Sequence, residues 1–191
     1  MKGVYENIGK TDSLSVTFNL LAKDENIWDL YGTRTRVQMQ KACPFELSTF
    51  EGYCLLTSSF FSAYMTNTEH RLLQAERDKA EDNTIILHDF FYKNYDLKIK
   101  YDPSDPLKPF VEFDEQIIGS TAEAFGTIYG NGKLMCDQPV AYDSYYNVCQ
   151  KFVILYTTIY VVGKGTVGTY VNILEWISDE EAEQYKKEEG L

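Results

Sequence analysis

Residues 151–163 read KFVILYTTIYVVG. Successive side chains of a strand point to opposite faces. Phe152, Ile154, Tyr156, Thr158, Tyr160 and Val162 therefore share one side, and Val153, Leu155, Thr157, Ile159 and Val161 the other. A strand with one face in water is polar on that face. Here both faces are largely apolar, so the stretch calls for a neighbour on each side.

Working outward, period-two segments rich in Tyr, Phe, Val, Ile and Thr recur at 27–38, 53–65, 84–94, 97–101, 110–113, 123–130, 133–142 and 168–176. Turn signals separate them: DPSDPLKP at 102–109, GNGK at 130–133 and GKG at 163–165. Residues 69–82 fit either a short helix or a strand followed by a charged turn; we read a strand ending near Glu76. Connections too short for crossover helices imply an antiparallel meander. About eight such strands close into a barrel that either fills with side chains or holds one small ligand. The expectation is a mainly β single domain over residues 1–191. It has an N-terminal helix and arm (1–26, with Leu14, Phe18 and Leu21 behind Thr11 and Asp12), a barrel (27–176), and a C-terminal helix and tail (177–191, capped by Ser178 or Asp179). Tyr156, Thr158 and Tyr160 would face a cavity, because a dry core seldom takes three hydroxyls in a row, with the C-terminal helix covering the other face. The alternative is a β-sandwich strand whose second face lies under a loop.

The net charge of -11 and pI near 4.6 argue against a nucleic-acid partner, which needs clustered Lys and Arg. A cationic small molecule or a basic patch on another protein suits that field. No stretch reaches the roughly 18 apolar residues of a membrane span, and MKGVYENIGK lacks the apolar core of a signal peptide. The expectation is a cytosolic protein or a mature secreted chain, with no membrane partner. Cys43, Cys54, Cys136 and Cys149 lack zinc-site spacing. They are either buried thiols or two disulfides, for which three connectivities exist. The two histidines, His70 and His88, lie in no metal motif, and GxSxG, Walker A and GxGxxG sequences are missing. We therefore expect no enzyme, although a working carboxylate pair remains open among so many acids.

LLAKDENIWDLYGTRT (20–35), GYCLLT (52–57), FGTIYGNGKLMCDQPVAY (125–142) and ILYTTIY (154–160) together resemble, in order, segments of the tick salivary lipocalins, the group that includes the histamine-binding proteins. The resemblance implies a lipocalin-like eight-stranded barrel. It also implies a secreted, monomeric product of a blood-feeding arthropod and sequestration of a host mediator, with no cofactor and no reaction. The mediator would be a biogenic amine such as histamine or serotonin, or a lipid such as a leukotriene or fatty acid. Acids that hold the amine in that family fall here on Thr127 and Ile154, while Asp89 keeps an acid and Phe125 an aromatic ring. The pairing it suggests is Cys43 with Cys54 and Cys136 with Cys149.

An ammonium ligand needs a desolvated carboxylate and aromatic faces. Trp28, Asp89, Glu112 (or Asp114), Phe125, Tyr156 and Tyr160 are the candidates. A lipid carboxylate would instead meet Arg34 or Arg36, which share a face with Trp28. Two other readings stand beside these. In one, the barrel is a scaffold whose 38–51 and 102–109 loops bind a host protein such as a complement component or chemokine. In the other, an acidic cytosolic protein neutralises a basic partner.

Overall fold

The computed structural model describes residues 43–65, 68–105 and 108–190, and the backbone of 13–19 and 34–40. It divides into two compact units, residues 1–43 and 44–191. In the first, β1 (Ser13–Asn19) pairs antiparallel with β2 (Arg34–Gln40), with Val16 opposite Val37. The helix expected here is corrected to a strand. The sequence SLSVTFN alternates polar and apolar residues and carries β-branched Val16 and Thr17, and this period-two signal wins over the helical spacing of Leu14 and Phe18. Arg34 and Arg36 thus belong to β2 in a separate two-stranded sheet, not to the first barrel strand. Trp28 lies outside the described residues.

The second unit opens with a 3-10 turn, Leu47–Phe50, followed by β3 (Gly52–Ser58), α1 (Ser59–Tyr64), β4 (His70–Arg77), β5 (Thr84–Leu87), β6 (Leu97–Asp102) and β7 (Phe110–Glu112). Then come β8 (Gln116–Ser120), α2 (Thr121–Phe125), β9 (Lys133–Asp137), β10 (Tyr145–Asn147), β11 (Phe152–Val161), β12 (Gly165–Ile177) and α3 (Asp179–Glu189). Eight strands close a ring of antiparallel pairings in the order β3-β4-β5-β6-β7-β10-β11-β12, with β12 returning to β3. The β8–β9 hairpin branches from the far half of β11, where Ile159 opposes Cys136. Gln116 then copies a strand: its side-chain amide accepts from Lys98 N–H (2.8 Å) and donates to Lys98 C=O (2.9 Å).

Several expected strands are shorter, and the reasons are local. Ser58 caps α1 by accepting from Phe60 N–H, so β3 stops there and not at 65. Residues 123–130 are not a strand, because Ser120 and Glu123 form a capping box and Gly126, at φ 70°, ends the helix left-handed. The strand ending near Glu76 and the GKG hairpin are as expected, the latter turning through Gly163 at φ 72° and Gly165 at φ 115°.

On β11 the faces are the reverse of the expectation. Val153, Leu155, Thr157, Ile159 and Val161 are buried in the barrel, and Phe152, Ile154, Tyr156, Thr158 and Tyr160 point outward, half-buried. The inward hydroxyl is Thr157, and it is satisfied: Asn172 donates to Thr157 Oγ1 (3.0 Å) and Leu155 C=O (2.9 Å) and accepts from Ser58 (2.6 Å). Nor does α3 cover β11. It packs on β3 and β4, with Ala182 buried, Lys186 Nζ donating to Tyr53 (3.1 Å) and Tyr185 donating to His70 C=O (3.3 Å). Residues 142–147 run beside β11 instead: β10 pairs with Phe152–Ile154, Ser144 Oγ accepts from Tyr156 N–H (3.0 Å) and the Tyr142 ring stacks on Tyr156 at 5.1 Å.

Candidate functional site

A lipocalin-type site would lie inside the barrel, so the interior comes first. β3 runs from the 3-10 turn at one end to α1 at the other, and a group of aromatic rings sits at each. At the first end Phe50 is fully buried against Tyr101 (4.6 Å), Trp176 (5.0 Å) and Tyr146 (5.7 Å), with Phe45 alongside at 6.4 Å. At the other, Phe60 stacks on Phe91 (4.7 Å) and meets Tyr64 and Tyr170, while Phe61 and Phe90 pack on Phe91. Between them Leu56, Leu73, Leu87, Leu97, Ile99, Leu155 and Leu174 are buried. Such ring pairs contribute about 0.5 to 1.5 kcal/mol each beyond their burial. The environment is dry: burial pushes the Tyr101 hydroxyl and the Cys54 thiol well above their usual ranges.

The open concavities lie outside. A groove of about 930 Å³ runs between β4 and α3, lined by Tyr53, His70, Arg71, Gln74, Tyr185 and Lys186 among others. Both histidines line it, and so does Asp89. His88 Nδ1 meets Asp96 at 3.0 Å and its Nε2 lies 3.5 Å from Glu76. The Asp89 carboxylate accepts from Asn94 N–H and closes the turn that its own φ of 54° begins. Lys186 sits 4.2 Å above the Tyr53 ring. A smaller cleft of about 390 Å³ lies where β6 and β7 face Gln116. Glu112 lines it, 3.6 Å from Lys100.

The candidate binding residues are therefore not brought together. Asp89 lies in the groove and Glu112 in the cleft. Phe125 meets Tyr64 edge-on at 5.4 Å and belongs to the packing of one barrel end. Tyr156 and Tyr160 lie on the outer face of β11, where a hydrogen bond to Glu115 pushes the Tyr160 hydroxyl up to about 12. What the sequence reading missed is that outer face. Tyr145 of β10 pairs with Phe110 of β7 on one side and Ile154 of β11 on the other, so all three share it. Tyr145 also meets Phe152 edge-on at 6.2 Å. Tyr142, Tyr145 and Phe110 are 53%, 42% and 37% exposed. The signal is the tyrosine-rich YDSYYN at 142–147, of which only Tyr142 falls in an expected strand.

Cys43 and Cys149 are disulfide-bonded, whereas Cys54 and Cys136 are buried free thiols. This overturns the Cys43–Cys54 and Cys136–Cys149 pairing. Cys54 follows the inward period of β3 with Leu56 and Ser58, and Cys136 is an inward residue of β9. Among the described residues no cluster of three or more His, Cys, Asp or Glu could hold a metal ion, and no helix is long and apolar enough to cross a membrane.

Fold and surface together define a closed eight-stranded antiparallel barrel whose inward side chains are buried and largely apolar, with concave and aromatic surfaces on its exterior. The chain belongs to the family described as Domain of unknown function (DUF4984), which it matches over residues 30–188. No curated protein and no solved structure matches it.

Proposed function

We propose that the protein is a non-catalytic recognition module of lipocalin-like architecture, which works in an oxidising compartment and binds another protein with its exterior. One observation carries the reading: Phe50, Phe60, Phe90, Phe91 and Tyr101 are fully buried, which supports an interior taken up by side chains at both ends of the barrel. The resemblance to tick salivary lipocalins offers two uses of a barrel, as a cup for an amine or lipid and as a scaffold for protein contacts. The aromatic filling favours the second. Dispersal of Asp89, Glu112 and Phe125 over separate surfaces also weakens an amine site, which needs a carboxylate and rings converging on one cation. The disulfide-bonded Cys43 and Cys149 favour export, since cytosolic thiols stay reduced.

The test is a thermal-shift panel of histamine, serotonin, a leukotriene and a long-chain fatty acid, because a ligand that prefers the folded state raises the melting temperature. None is expected to raise it. A saturable rise that disappears when Leu155 or Ile99 is changed to Trp would place the ligand inside and end the proposal.

A further inference from the structure

We infer that the outer face of β7, β10 and β11 is the docking surface, and that its partner is an arginine-rich segment of another protein. This rests on the exterior reading above and adds where recognition occurs and by what chemistry.

The face is continuous. Phe110, Tyr145 and Ile154 are register neighbours, Phe152 meets Tyr145 edge-on, and Tyr142 lies stacked on Tyr156. At 53%, 42% and 37% exposed, Tyr142, Tyr145 and Phe110 alone present about 300 Å² of aromatic residue surface, the size of the largest patch on a typical single chain, which is often functional. Tyrosine is prominent among residues that dominate binding energy, and arginine is the common partner for its ring face.

Two observations choose the occupant. Residues 44–191 carry twenty-four acidic and twelve basic side chains, so two copies repel, and the exposed rings fall well under half of the roughly 800 Å² per side that a stable dimer buries. A cationic segment is attracted by the same field. Acids also fringe the patch: Asp102 opposes Phe110, Glu175 opposes Phe152, and Asp143 adjoins Tyr142. Glu112 is offset by Lys100, and Lys108 and Lys151 are the bases nearby in sequence. The rings fix where a segment lies, and the field favours guanidinium over a neutral side chain.

The probes are three labelled nine-residue peptides, one alternating Arg with Tyr, one alternating Lys with Ser and one alternating Glu with Tyr, followed by fluorescence anisotropy at low salt. The Arg/Tyr peptide should bind most tightly, and Tyr142→Ser with Tyr145→Ser should weaken it at least ten-fold. Those substitutions leave the charge unchanged, so non-specific attraction stays and the difference reads the rings. Hydrogen exchange on the unaltered protein should slow over 140–156 when the peptide is bound. Equal affinity in parent and variant, or no binding, overturns the inference. So does a dimer in sedimentation that the variant abolishes, or phospholipid-vesicle binding lost in the variant. If the peptide fails while the amine and lipid panel stays silent, only this face is rejected; if that panel responds, the exterior reading falls with it.

Discussion

Replacing Phe50 with Ala probes the filled barrel directly. The Phe50 side chain is fully buried, with rings of Tyr101, Trp176 and Tyr146 at 4.6, 5.0 and 5.7 Å. Removing it forfeits about 2 kcal/mol of transfer free energy. A residual cavity of about 80 Å³, at about 24 cal/mol per Å³, adds about 2 kcal/mol more. The sum of about 4 kcal/mol is near the middle of the range for large-to-small aromatic substitutions. For a chain of this size it corresponds to a melting point lower by roughly 8 to 16 °C. Urea titration followed by far-ultraviolet circular dichroism, with a thermal melt alongside, measures both. The new cavity is apolar, so benzene should raise the melting point of the variant and not of the parent. A loss below about 1 kcal/mol, or equal stabilisation of the parent by benzene, would mean that Phe50 borders empty space already and would refute the reasoning.

Thiol titration should find no fast-reacting cysteine in the native protein, two after unfolding and four after reduction as well, because Cys54 and Cys136 are buried and Cys43 and Cys149 bonded; burial also pushes the Cys136 thiol up to about 12. Four thiols without reductant would return the protein to the cytosolic reading. Changing Asn172 to Ala leaves the buried Ser58 and Thr157 hydroxyls without their partner, at a cost of about 2 to 4 kcal/mol in urea. A loss under about 0.5 kcal/mol would show that those hydroxyls find other partners. Asp78 is hydrogen-bonded by Lys98 and by Ala80 N–H, which together hold its carboxyl below the usual carboxylate range. A folded-state pKa below the unfolded value gives stability that is complete above about pH 4 and lost as pH falls through the folded pKa. Asp78→Asn should therefore lower the urea midpoint at pH 7, with the gap to the parent closing below about pH 4; a gap of constant size down to pH 2 would contradict this.

The meander was legible because β6 alternates Leu97, Ile99 and Tyr101 with lysines, β11 is a long run of β-branched and aromatic residues, and turn signals such as GKG at 163–165 separate such runs without any tertiary information. Which face of β11 points inward was not. With both sides apolar, period two has no preferred phase, and the hydroxyls of Tyr156, Thr158 and Tyr160 point to the wrong side. The deciding fact is Asn172, opposite Leu155, whose amide satisfies the inward Thr157. That is a cross-strand contact which no local pattern announces. Two other misses were local and readable: Ser120, Glu123 and Gly126 spell a capped helix, and Cys54 shares the inward period of Leu56. The aromatic outer face escaped because Tyr145 belongs to a three-residue strand, too short for periodicity to declare. Its partners Phe110 and Ile154 become neighbours only when the ring closes.

Native mass spectrometry of the purified protein under non-reducing conditions bears most directly on whether the barrel holds a guest. The bare polypeptide mass, less two hydrogens for the bond at Cys43 and Cys149, is the expected spectrum. A stoichiometric adduct that survives buffer exchange and leaves only on unfolding would contradict the account, since a barrel filled by Phe50, Phe60, Phe91 and Tyr101 has no place to keep it.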